Sequence, residues 1–163
     1  MQIRRERPGD EEAISSLIAA AFAHAEHSDG TETAIVERLR KAGALTLSLV
    51  AEAGGRPVGH IAFSPVTIDG DHRGWFGLGP VAVRPDRQGG GIGSALIRQG
   101  LERLRSLGAA GCVLVGEPSF YGRFGFAADD RLRYPGIPAE YFQLLSFNGE
   151  KPSGVVAYHP AFG

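Results

Sequence analysis

Near the middle of the chain, Gln88-Gly89-Gly90-Gly91-Ile92-Gly93-Ser94 has the composition of an anion-binding turn. Four of the six residues from Gly89 to Ser94 are glycine, which lets the backbone curl until several N–H groups converge. A strand-like run precedes the stretch and a helical pattern follows it, so the same amides head a helix whose dipole favours negative charge. Such a nest suits a pyrophosphate without a lysine. One glycine would fit a flexible connection or a tight helix start; four make that a poor reading.

Two other phosphate motifs compete. The G-x-x-x-x-G-K-[ST] pattern of P-loop nucleotide hydrolases is absent. The dinucleotide fingerprint comes nearer: Gly89-x-Gly91-x-x-Ser94 almost meets it, and Glu117 closes the next strand where a ribose-binding acid would stand. That fingerprint begins at the strand end, whereas here Arg84 to Gln88, with Pro85, intervene. Only one βαβ unit is visible, so a nicotinamide-dinucleotide protein is the weaker alternative.

Other reactive side chains have blander readings. Cys112 lies in the apolar run Gly111-Cys112-Val113-Leu114-Val115 and reads as a small buried hydrophobe before a nucleophile. As the one cysteine it can form no intramolecular disulfide, which is compatible with a reducing compartment. His60 reads as a structural strand histidine. Arg4, Arg5 and Arg7 read as a solvated strand face, while Arg84 and Arg87 flank the glycine stretch.

The elements that must position these residues follow from periodicity. Gln2 to Arg7 reads as a first strand. Asp10-Glu11-Glu12 opens a helix whose Ile14, Leu17, Ile18, Ala21 and Phe22 share one face. A second helix spans Thr31 to Lys41, with Ile35, Val36 and Leu39 inward and Gly43 past its end. Strands are expected over Leu45 to Glu52, Val58 to Ile68 and a run ending at Val83, separated by turns at Ala53–Arg56 and Asp69–Asp71. The glycine stretch opens a helix to about Leu107, stopped by Gly108. Gly111 to Gly116 is a strand buried on both faces, a short helix begins near Pro118, and further strands fall near Tyr141 to Phe147 and Gly154 to Tyr158. The order is βααβββαβ followed mostly by β, a mixed α/β (α+β) sheet.

The chain has 163 residues, enough for one domain over 1–163 with a real core. Hydrophobic residues at 43% and charged residues at 21% are those of a folded protein. A net charge of -1 gives no sequence-wide case for nucleic acid. The longest apolar run, Leu17 to Ala23, is too short to span a bilayer, and no signal-peptide pattern follows Met1. A cytoplasmic protein without membrane partners is expected.

Val81 to Ser94 resembles the acyl-CoA signature of the GNAT superfamily of N-acetyltransferases, Q/R-x-x-G-x-G/A after a strand, with Gln88, Gly91 and Gly93 at its fixed positions. Tyr121-Gly122-Arg123-Phe124-Gly125-Phe126 is similar to the Y-x-x-x-G-F that follows the fifth strand in many members. The two motifs lie about thirty residues apart with a helix and a strand between them, and the element order matches across nearly the whole chain. The likeness extends to a bacterial subgroup of predicted acyltransferases.

The resemblance implies a sheet splayed between its fourth and fifth strands, those ending at Val83 and Gly116, with helices flanking it. The pantetheine arm of acetyl-CoA would lie in that gap along Val81, Ala82 and Val83. Its pyrophosphate would sit on the amides of Gly89, Gly90, Gly91, Ile92, Gly93 and Ser94. Many relatives carry a basic residue where this chain has Gly90, a charge Arg87 could supply instead. The implied reaction is direct acyl transfer to a primary amine through a tetrahedral intermediate, with no metal. Tyr121, protonated at neutral pH as a phenol of pKa about 10, would donate to the leaving thiolate. Glu117 would serve as base or stabilise the helix beginning near Pro118. His24, Glu26 and His27 fall between the first two helices, where the family often builds its acceptor pocket. The acceptor would be a small amine or a protein N-terminus or lysine, and dimers are common among similar proteins. A non-catalytic acyl-CoA binding or sensing module is the other reading.

Overall fold

The structure is a computed structural model that describes residues 1–24 and 28–163. In chain order its elements are β1 (Gln2–Arg5), α1 (Glu11–Phe22), α2 (Glu32–Lys41), β2 (Leu47–Ala53), β3 (Arg56–Pro65), β4 (Thr67–Ile68) and β5 (Trp75–Val83). They continue with α3 (Ile92–Ser106), β6 (Gly111–Val115), α4 (Pro118–Tyr121), β7 (Leu132–Arg133), β8 (Phe142–Ser146) and β9 (Gly154–Ala157). The main sheet runs β1-β2-β3-β5-β6-β8, and a small sheet runs β4-β9-β7.

Both faces of the main sheet are covered, as the apolar β-strand runs require. Ile92, Leu96, Ile97, Leu101 and Leu104 of α3 pack on one face against Leu49, Ile61, Phe63 and Leu114. Ile14 and Ile18 of α1, with Val36 of α2, cover Val50, Ala62 and Ala82 on the other. Gly108, with φ 88°, stops α3. Gly59 lets α3 approach closely: a Cβ there would stand 2.8 Å from Ile92 Cγ2 and 2.9 Å from Leu96 Cδ1. The first turn of α3 is thereby held against β3.

The sheet opens where the glycine stretch needs it. β5 and β6, the parallel pair joined by α3, are paired only from Trp75–Gly111 to Gly77–Val113. Immediately beyond, the β3–β5 register shifts: Phe63 faces Leu78, but Ile61 faces Val81. The extra residue in β5 is a bulge at Gly79–Pro80, which bends the strand. A wedge therefore opens between Leu78–Val83 and the end of β6. This is the splay expected between the fourth and fifth strands, which become β5 and β6 because the two-residue β4 precedes them.

Several expectations change, beginning with the first strand, which ends at Arg5 rather than Arg7. Arg4 is not on a solvated face: its guanidinium bonds Asp10 at 2.8 and 3.1 Å and Glu52 at 2.8 Å, brought within reach by the β1–β2 register that sets Gln2 opposite Glu52. The strand expected over Val58 to Ile68 breaks after Pro65, and Thr67–Ile68 leaves to pair with β9. Leu45 and Thr46 precede β2 rather than belong to it. Among the described residues, no helix is long and apolar enough to cross a membrane.

Candidate active site

Gly89 and Gly91 adopt φ values of 82° and 86°, a region that β-carbon-bearing residues avoid. Gly91 is the N-cap of α3, and no side chain caps that helix. Glu11 and Glu12 stand in the first turn of α1 and Glu32 in that of α2, whereas the first turn of α3 holds no acid. The amides of Ile92, Gly93 and Ser94 thus lack intrahelical acceptors at the positive end of a 15-residue helix. A cavity of about 360 Å³ lies over them, lined also by Val83, Arg87, Gln88, Phe120 and Arg123. Gln88 anchors the loop by donating from Nε2 to the Val83 carbonyl at 3.0 Å. Arg84 is neutralised by Asp86, at 2.6 and 3.1 Å.

The edge of β5 presents backbone groups to the wedge in a fixed alternation. Arg84 N–H donates to the Val58 carbonyl at 2.8 Å, and Gly59, His60 and Ile61 face Val83, Ala82 and Val81 in turn. Antiparallel pairs alternate between bonded and non-bonded. Ala82 therefore directs its amide and carbonyl to β3, and its buried side chain packs with Ile14 and Ile18. Val81 and Val83 turn theirs the other way, toward the opening, where the Val83 carbonyl already accepts from Gln88 Nε2 at 3.0 Å.

At the other end of the wedge is a cavity of about 480 Å³ lined by Leu78 to Val81, Val115 and Tyr121. Phe22, Asp29, Glu32, Tyr134, Ile137, Tyr158 and Phe162 complete much of its wall. Tyr121 reaches it from the end of α4, in edge contact with Phe120 at 4.9 Å between centroids. Burial raises the Tyr121 phenol above its ordinary value, so the group stays a proton donor. Its hydroxyl has no hydrogen-bond partner among the described residues, which leaves it available to a ligand.

Glu117 is brought near Tyr121 in sequence but not into this cavity. It is exposed at the head of α4, where its carbonyl accepts from the amides of Phe120 and Tyr121 at 3.0 Å. His24 is exposed as well, and Glu26 and His27 lie outside the described residues. Cys112 is fully buried and its thiol is pushed up by desolvation, a state unsuited to a nucleophile. His60 is also buried; Ser48 Oγ donates to Glu6 at 2.8 Å and so accepts from His60 Nε2 at 2.7 Å. Among the described residues no group of three or more His, Cys, Asp or Glu is placed to hold a metal.

Sequence reasoning missed Asp29, Glu32, Tyr134, Tyr158 and Arg123. The first four meet only when the small sheet and the two N-terminal helices close on the bulge. Arg123 lies inside the Y-x-x-x-G-F motif at a position that the motif leaves open.

A six-stranded sheet parted beside a glycine-headed helix, with a tyrosine beyond the gap, is the architecture of a GNAT acetyltransferase. The family model described as an acetyltransferase (GNAT) domain matches residues 2–128, and the chain belongs to that family. Among curated proteins it is 38% identical over 170 aligned residues to the N-acetyltransferase YhbS of Escherichia coli, covering 99% of this chain and 98% of that one. A GNAT family acetyltransferase from Brucella melitensis, solved in complex with acetyl-CoA, superposes with a TM-score of 0.90 at 52% identity, covering 99% and 97% of the two chains. The crystal structure of E. coli YhbS in complex with CoA gives a TM-score of 0.88 at 36% identity, over 99% and 91%.

Proposed function

We propose that the chain, as one domain, transfers an acetyl group from acetyl-CoA to a primary amine by direct attack. The observation that carries this is the continuity of the wedge. Val83 lines the cavity over the glycine loop, and Val81, two residues back on the same strand edge, lines the cavity of Tyr121. A donor with its pyrophosphate on the amides of Gly89 to Ser94 would run its pantetheine arm along Val83 and Val81. Ala82 spaces those two contacts, and Arg87 adds a cation at the phosphate end. The glycine loop offers a fitting cradle, since its first-turn amides are free of any side-chain cap. The acetyl-CoA and CoA complexes of the two similar proteins support the same donor.

The chemistry then balances simply. The neutral amine attacks the thioester carbonyl, a C–N bond forms, and the tetrahedral oxyanion is stabilised by the Val81 amide facing the wedge. The C–S bond breaks, and Tyr121 passes its proton to the departing thiolate. The proton lost by the amine goes to solvent, and a proton taken up from solvent restores the phenol. Asp29 and Glu32, on the wall of the same cavity, attract a cationic amine. Glu117 stands outside that cavity, and its side chain makes no capping bond to α4. Cys112 is too buried for a covalent intermediate.

Thiol release from acetyl-CoA, followed across a panel of small amines and peptides, tests this. Release that requires an amine and collapses in Tyr121→Phe is the expected result. Acetyl-CoA binding without turnover of any amine would favour a binding module instead.

A further inference from the structure

We propose that Arg123 is a second cation of the phosphate site and that its grip on a donor phosphate fixes the position of Tyr121; this rests on acetyl-CoA being the donor. Arg123 comes from beyond α4, yet it lines the same cavity as Arg87, Gly89, Gly91 and Ser94. Its Nε donates to the Phe120 carbonyl at 2.9 Å, and its guanidinium lies 4.6 Å from the centroid of the Phe120 ring. These contacts hold the stem of the fork and leave both terminal nitrogens uncommitted among the described residues. No carboxylate there pairs with it, in contrast to Arg84 on Asp86. A planar fork with free donors matches phosphate oxygens two at a time. It also supplies from another element the positive charge that Gly90 does not carry.

The second half follows from what Arg123 rests on. Phe120 lies beneath its guanidinium and meets the Tyr121 ring at 4.9 Å and 85°. Cation, ring and phenol are contiguous, so a phosphate that immobilises Arg123 also immobilises the turn that presents the Tyr121 hydroxyl. Arg123 is a phosphate-binding residue by its fork and a positioning residue by its stack.

The test compares wild type, Arg123→Gln and Arg123→Lys, each titrated with acetyl-CoA and with S-acetylpantetheine, which has the arm but no phosphate. Binding is read at two salt concentrations, and kcat is taken at saturating acetyl-CoA. Arg123→Gln is expected to weaken acetyl-CoA about tenfold or more, to flatten its salt dependence, and to leave S-acetylpantetheine unchanged. Its kcat falls as well, and Arg123→Lys recovers most of the affinity but less of the kcat, because ammonium does not stack as the planar fork does. Equal weakening of both donors, or none of either, would overturn the phosphate assignment. Weakened acetyl-CoA with wild-type kcat would overturn the coupling to Tyr121. Wild type that binds no acetyl-CoA overturns the donor reading, and this assignment falls with it.

Discussion

The Tyr121 ring packs directly on Gly116, so closely that a Cβ at residue 116 would stand 2.8 Å from Tyr121 Cδ2 and nearer still to Cε2. Gly116 cannot easily yield, since its amide donates to the Tyr141 carbonyl at 3.0 Å. The phenol can fold back from α4 to the cavity because the strand-end residue beneath it has no side chain.

Gly116→Ala should therefore displace the phenol without touching the glycine loop. The expected loss is about 10²-fold in kcat, the scale of a 1 Å misplacement, with acetyl-CoA affinity held. Steady-state kinetics beside a binding titration checks it; a variant that loses affinity and kcat together would mean a wider collapse.

Tyr121→Phe keeps the ring and removes the proton. We expect kcat to fall about 10²-fold or more and acetyl-CoA binding to be unchanged. In the wild type, rate should climb with pH as the amine deprotonates. No alkaline fall should appear before pH 10, because burial raises the phenol above its ordinary value. A fall in rate between pH 8 and 9 would contradict the assignment.

His60 predicts acid sensitivity. Burial lowers it from 6.5 to about 4, against the pull of Glu6 and with the Arg40 charge adding to the drop. The unfolded chain takes up a proton below pH 6.5 that the folded chain refuses until about 4. Stability is present above pH 6.5 and is lost as pH falls toward 4, by about 2 kcal/mol between pH 6.5 and 5. Burial opposes the Glu6 charge, but bonds from Arg40 and Ser48 hold its carboxyl below the ordinary value, so it adds loss in the same direction as pH falls through that range. Urea midpoints at pH 7 and 5 should converge in His60→Gln; an equal drop in both proteins would assign the sensitivity elsewhere.

The parts of the molecule legible in the sequence are those set by local rules. The glycine loop announces itself because φ values near 85° at Gly89 and Gly91 need glycine. α3 shows its buried face at helical spacing, and the splay came with the resemblance rather than with any spacing. What was hidden depends on pairing across long stretches of chain. Two-residue strands such as Thr67–Ile68 and Leu132–Arg133 have too few side chains to show alternation, and they exist only because β9 joins them. Arg4 looked solvated because Glu52 is its partner only once β1 and β2 pair. Arg123 carries no signal of its own in the sequence, because the cavity it lines is formed by a loop about thirty residues earlier.

Calorimetric titration with acetyl-CoA, run beside NADH and repeated with Gly91→Glu, bears most directly on the glycine loop as a donor site. The added carboxylate at a φ of 86° opposes the phosphate by charge and strains the turn. Saturable acetyl-CoA binding that Gly91→Glu abolishes, with no NADH binding, is the predicted result. Folded wild-type protein that binds no acetyl-CoA, or binds NADH in its place, would contradict it.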